Sequence, residues 1–178
     1  MADDVLAAID PALAPPRSVR ATVVPPRAVS ADGQPGDGSL AGAVAAVLAA
    51  EAGAGGADPA AGSGDGPADG PADGEVAEGR IAVLAPAARV AELRARVTPG
   101  VAGEPGAEPD LDAPVVVLPV SSAKGLEFDS VVLVEPAELV AESPRGLNDL
   151  YVALTRATQR LTVVHRAPLP AVLSALAQ

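Results

Sequence analysis

Three features of the sequence predict a three-layer α/β fold, a parallel sheet covered by helices on both faces. The strand candidates "RIAVLAP" (80–86), "APVVVLPVSS" (113–122) and "SVVLVEP" (130–136) are solidly apolar, as strands buried on both faces are. Helical patterns stand between them, the arrangement that feeds a parallel sheet. The 178 residues suffice for one domain with a core, and at 1% aromatics that core rests on Val, Leu and Ile.

Residues 1–12 read as a short helix with Val5, Leu6 and Ile9 on one face. "PPRSVRATVVPPRAV" (15–29) suggests short edge strands around Val19, Val24 and Val29, punctuated by proline. "SLAGAVAAVLAAEAG" (39–53) is a helix that Ser39 can cap, with Leu40, Val44, Val47 and Leu48 as its stripe. Residues 52–79, which include "DGPADGPADG", hold almost nothing apolar larger than Ala and predict a flexible acidic loop.

Beyond that loop the sequence becomes regular. A strand over Arg80–Pro86 precedes an amphipathic helix, Ala87–Val97, with Val90, Leu93 and Val97 inward. A second loop, "GVAGEPGAEPDLD", leads into the strand at 113–122, and another strand covers Ser130–Pro136. "GLNDLYVALTRATQ" predicts a helix from about Asn148, and "RLTVVHR" closes the order as a strand.

The net charge of -11 argues against the basic face of a general nucleic-acid binder. The acidic excess precedes residue 113, however. From there on Lys124, Arg145, Arg156, Arg160, His165 and Arg166 face Glu127, Asp129, Glu135, Glu138, Glu142 and Asp149, six against six. No cysteine and a single histidine lead us to expect no disulfide and no metal site. The N-terminus carries no signal-peptide pattern, and no apolar run approaches the ~20 residues of a membrane span, so a soluble cytoplasmic protein is expected.

"SSAKGLEFDSVVLVEP" (121–136) holds the chain's only Lys and only Phe; its only Tyr and His, Tyr151 and His165, follow soon after. The segment joins two buried strands, and ligands of open α/β sheets collect at loops outside strand ends. Gly125 can present its amide to a phosphate, Lys124 supplies a point charge, and Glu127 can accept hydrogen bonds from a sugar hydroxyl. Read blandly, Lys124 is solvated, Glu127 is a surface carboxylate and Phe128 is filler. No G-x-x-x-x-G-K-[ST] phosphate cradle occurs, and no Asp-rich magnesium site follows a strand. In "DLYVALTRATQRL", Leu150, Ala153, Leu154 and Ala157 bury one helical face. Arg156 fits two roles there, complementing the helix dipole or acting as an arginine finger against a γ-phosphate, and periodicity does not choose.

Together "SSAKGLEFDSVVLVEP" and "GLNDLYVALTRATQRLTVVH" closely resemble helicase motifs V and VI of the UvrD/Rep/PcrA group of superfamily one. "GRIAVLAPAARVAELRARV" resembles the strand and helix that precede motif V there. The resemblance covers residues 80–166 well and residues 1–51 loosely. It implies the second RecA-like lobe of an ATP-dependent DNA helicase or translocase, with ATP and Mg2+ held jointly with an N-terminal lobe. Residues 1–51 would be the partial start of that lobe, 80–168 its core and 169–178 a tail. Arg156 would be the arginine finger, Glu127 would face the ribose, and Lys124 and Gly125 would face nucleic acid and nucleotide. Tyr151, on the nucleotide side, would brace the motif VI helix against the lobe interface.

Ser121 stands where the family keeps a His associated with the DNA strand. "AKGLEFDSVVLVEP" followed by "NDLYVALTRATQRL" looks most like the HelD-like branch, whose members act on RNA polymerase. Motifs I, Ia, II, III and the Asn-Tyr-Arg of motif IV are absent from these 178 residues. The resemblance therefore implies a C-terminal fragment, through truncation, frameshift or a late start codon, unable to hydrolyse ATP alone. The alternatives are a non-catalytic RNA-polymerase-binding module and an inactive remnant of a broken gene. A lobe without its partner would expose an apolar interface, so marginal stability or self-association is expected.

Overall fold

The computed structural model describes residues 2–10, 24–33, 38–54, 80–97 and 109–177. The strand expected around Val19, residues 55–79 of the acidic loop and most of the second loop lie outside the described residues. The elements are α1 (Ala2–Ile9), β1 (Arg27–Ser30), α2 (Leu40–Ala54), β2 (Ile81–Ala85), α3 (Ala87–Val97), β3 (Val115–Pro119), β4 (Phe128–Val134), α4 (Pro136–Glu142), α5 (Gly146–Leu154) and β5 (Ala157–His165). Short 3-10 helices cover Ala31–Gly33, Val120–Ala123 and Ala171–Ala177.

All the strand pairs are parallel, in the order β1-β5-β4-β2-β3. Apolar residues at every strand position serve two cores, because successive side chains point to opposite faces. Ala82 and Leu84 of β2, Val131 and Leu133 of β4, and Leu161 and Val163 of β5 meet α1, α4 and α5 on one face. Val83 and Ala85 of β2, Val132 and Val134 of β4, and Val164 of β5 meet α2 and α3 on the other. Each Leu or Val so buried contributes roughly 1.5–3 kcal/mol. The α/β sandwich expected from the sequence is present.

Local chemistry sets the element ends. Ser39 caps α2 by accepting the Gly42 N–H at 2.9 Å. The strand expected over Ser130–Pro136 instead begins at Phe128 and stops at Val134. Glu135 turns into the left-handed region (φ 47°), and Pro136 occupies the first turn of α4, a helix the sequence reading missed. The buried Glu135 carboxylate holds this turn, accepting the Arg166 N–H at 2.7 Å and the Ala167 N–H at 3.3 Å.

The helix expected from Asn148 through Gln159 begins at Gly146 and ends at Leu154. The Thr155 N–H bonds the Tyr151 and Val152 carbonyls, tightening the last turn, and the Arg156 carbonyl accepts the Phe128 N–H at 3.0 Å. That bond draws residue 156 into the mouth of the β4–β5 ladder, so helix gives way to strand. The 169–178 segment contributes the last 3-10 helix, which packs on α1 with Leu173 fully buried.

A buried carboxylate ties α2 to the sheet. Glu51 accepts from Arg27 at 3.0 Å, from the Thr162 hydroxyl at 3.0 Å and from Arg160 at 2.7 Å. With two guanidiniums and a hydroxyl upon it, the burial of this carboxylate is compensated.

Candidate functional site

The connection from β3 to β4 has to return from the carboxyl end of one strand to the amino end of the next. It does so along the α5 face: the 3-10 helix Val120–Ala123 packs against α5, and residues 124–127 complete the passage. Gly125 makes the turn at φ 85°, a conformation costly for any residue with a Cβ. Phe128, 3% exposed, then anchors the loop in the core.

A cleft of about 510 Å³ opens where this passage ends, lined by Arg80, Leu111, Gly125, Leu126, Glu127, Phe128 and Arg156. That volume lies in the range of small-ligand sites. Arg80 immediately precedes β2, Phe128 opens β4 and Arg156 immediately precedes β5. The cleft therefore lies along the amino ends of the strands, whereas ligands of open α/β sheets ordinarily bind at the carboxyl ends.

At the carboxyl edge side chains tie α3 to α4. Arg89 of α3 grips Glu138 of α4 with two hydrogen bonds, of 3.0 and 2.7 Å. The Ala87 N–H donates to Glu142 at 2.9 Å. The Arg89 hydrogen bonds hold the Glu138 carboxyl below the ordinary carboxylate range against the opposing effect of partial burial, and the pair raises Arg89.

Arg156 is held by three hydrogen bonds at the wall of the cleft. Its Nε donates to the Val152 carbonyl at 3.2 Å, Nη1 to the Leu126 carbonyl at 3.0 Å and Nη2 to the Thr155 hydroxyl at 3.3 Å. The bond to Val152 satisfies an end carbonyl of α5, which is the bland helix-terminus role. A guanidinium has five N–H donors, so these three bonds fix its plane and leave two for a ligand.

Gly125, Glu127 and Arg156 thus come together in one cleft. Ser121 and Lys124 are exposed earlier on the passage and do not line it. Tyr151 is half-buried against the α5-side core, also outside the lining. The sequence reading missed Arg80 and Leu111. Arg80 directly precedes an apolar strand, but only the strand order places that mouth beside β4. Asp129 supports the rim, accepting the Arg80 N–H at 3.0 Å and the Gln159 side-chain amide at 3.0 Å. Among the described residues no three His, Asp or Glu side chains group to hold a metal ion, and no helix is long and apolar enough to cross a membrane.

The comparisons with known proteins agree with this architecture. Residues 114–164, which run from just before β3 almost to the end of β5, match the sequence model of the UvrD-like helicase C-terminal domain. Among solved structures the chain is similar to the C-terminal domain of a possible DNA helicase from Lactobacillus plantarum WCFS1. The TM-score is 0.53 at 20% identity, over 85% of this chain and 80% of that one. No curated protein matches significantly. The fold, an α/β parallel sheet, is the one this neighbour shares, and residues 114–164 are similar to the UvrD-like helicase C-terminal domain.

Proposed function

We propose that this chain is the second RecA-like lobe of an ATP-driven helicase or translocase and supplies half of a composite ATPase site. The observation that carries the reading is the braced Arg156 guanidinium, sharing one cleft with Gly125 and Glu127. In this account Arg156 meets charge developing on the γ-phosphate, and Glu127 accepts from the ribose hydroxyls. The Gly125 amide lies close to the ligand, and Tyr151 steadies α5. Mg2+ and the phosphate cradle belong to an N-terminal lobe, since no Walker A sequence occurs in this chain.

The exposed Lys124 and Ser121 lie on the passage leading to the cleft and serve nucleic acid in this reading. The succession of "AKGLEFDSVVLVEP" and "NDLYVALTRATQRL" supports a second reading, a HelD-like lobe directed to RNA polymerase. Recovery of polymerase subunits from lysate regardless of nucleotide would select that reading.

Turnover with and without a Walker A-bearing N-terminal lobe tests the composite site. The account expects Mg-ATP hydrolysis only with both lobes present. Magnesium-dependent hydrolysis by this chain alone, abolished in Arg156→Ala, would contradict it.

A further inference from the structure

The cleft extends beyond the residues assigned above, toward Arg80 and Leu111, and their chemistry is of a different kind. Along the amino edge of the sheet the order is β5, β4, β2, with Arg156 at the first mouth, Glu127 at the second and Arg80 at the third. Neighbouring strands lie ~4.8 Å apart, so two strand spacings, ~10 Å across the sheet, separate Arg80 from Arg156, with the β4 mouth that follows Glu127 between them.

Arg80 has a fixed backbone and an exposed side chain. Its N–H is held by Asp129 at 3.0 Å, and its carbonyl accepts the Ser130 N–H at 3.2 Å. Arg27, Arg89, Arg160 and Arg166 each hold a carboxylate, whereas Arg80 has no ion pair among the described residues. Leu111, which lines the same end of the cleft, is 38% exposed, the one large hydrophobic residue so exposed among the described residues.

A planar guanidinium beside an exposed aliphatic side chain suits the face of a heteroaromatic ring. We propose that Arg80 and Leu111 form the base-binding end of the cleft, so that it accepts an extended nucleoside triphosphate. The base lies against Arg80 and Leu111, the ribose at Glu127 and the terminal phosphate at Arg156. This assignment rests on the nucleotide reading given above, to which it adds the end that recognises the base.

The test is an amide-shift titration of the 178-residue chain by NMR with three probes: ATP, adenosine and inorganic tripolyphosphate. Arg80→Ala should weaken ATP and adenosine binding about fivefold and leave tripolyphosphate unchanged. Arg156→Ala should weaken ATP and tripolyphosphate and leave adenosine unchanged. Arg80→Lys, which keeps the charge but not the plane, should resemble Arg80→Ala toward adenosine.

An Arg80→Ala variant that loses tripolyphosphate binding, or binds all three probes as the parent does, overturns the base-end assignment and leaves Arg156 in place. No shift at the cleft with adenosine or ATP would overturn the base-end assignment, while the composite-site reading stands or falls on turnover with both lobes present. Because Arg80 is exposed, an unchanged spectrum of the unliganded variant outside the cleft separates loss of binding from loss of fold.

Discussion

Nη1 of Arg156 donates to the Leu126 carbonyl at 3.0 Å, tying the end of α5 directly to the loop that carries Gly125 and Glu127. Together with the Nε bond to Val152 it aims the guanidinium before any ligand arrives. Phosphoryl transfer draws chiefly on positioning and electrostatic stabilisation, the use proposed above for this guanidinium.

This brace is itself stabilising. Arg156→Ala removes three hydrogen bonds at a half-buried position and should cost about 1–2 kcal/mol in urea denaturation. Arg156→Lys should recover little, because an ammonium lacks the fork that reaches all three acceptors. A loss within error of zero would mean that the guanidinium is not braced.

Glu51 should be far more sensitive than an ordinary helix glutamate. Its side chain is 2% exposed, while Arg27 and Arg160 are 50% and 26% exposed. Removing the carboxylate leaves the Thr162 O–H without its acceptor and two guanidiniums that can partly reach water without their partner, so Glu51→Ala should cost about 2–3 kcal/mol. Arg27→Ala, from the more exposed partner, should cost about 1 kcal/mol or less. Equal losses in the two variants would contradict the arrangement.

Two glycines should respond to alanine for different reasons. At Gly125 a Cβ meets open space but φ is 85°, so Gly125→Ala should cost about 1–2 kcal/mol of backbone strain. At Gly146 a Cβ would stand 2.1 Å from the Val140 carbonyl oxygen, where α4 and α5 approach backbone to backbone. Gly146→Ala should therefore cost about 3 kcal/mol or more, or prevent folding. Thermal melts of both variants check the order, and a milder effect at Gly146 would refute the close approach.

The tether at the carboxyl edge carries a pH signature. Glu138 is held below its ordinary value of 4.5, so its contribution is present above that value and is lost as the pH falls through the lower, folded value. Both side chains are over a third exposed, which limits the effect to about 0.5 kcal/mol. Urea midpoints at descending pH should show Glu138→Gln losing less stability than the parent below about pH 4.5. Parallel curves would mean that the pair contributes nothing.

Much of the fold was legible because each buried strand is short, apolar and flanked by helical periodicity. The Ser39 cap and the Val90 and Leu93 face of α3 follow from local spacing alone. The missed helix α4 had a signal in "EPAELVAE", where proline in the first turn marks a helix start. The apolar run before it masked the break at Glu135, whose left-handed turn depends on amides of residues 166 and 167.

Arg156 was legible as a residue but not as a conformation. Its departure from α5 is set by the Phe128 ladder bond, which is a tertiary event. Arg80 and Leu111 were invisible as site residues because strand order, not sequence order, brings the β2 mouth beside that of β4. For the same reason no sequence pattern announced the Arg89–Glu138 clasp, whose partners are 49 positions apart.

The central claim is that Arg156 delivers its guanidinium to a phosphate in a site shared with another lobe. The direct measurement is steady-state ATP turnover of a protein joining a Walker A-bearing N-terminal lobe to this chain, comparing parent and Arg156→Lys at matched folded fraction. The account predicts a fall of roughly 10³ in kcat with the folded lobe retained. A kcat within a few-fold of the parent, in a variant that remains folded, would contradict it.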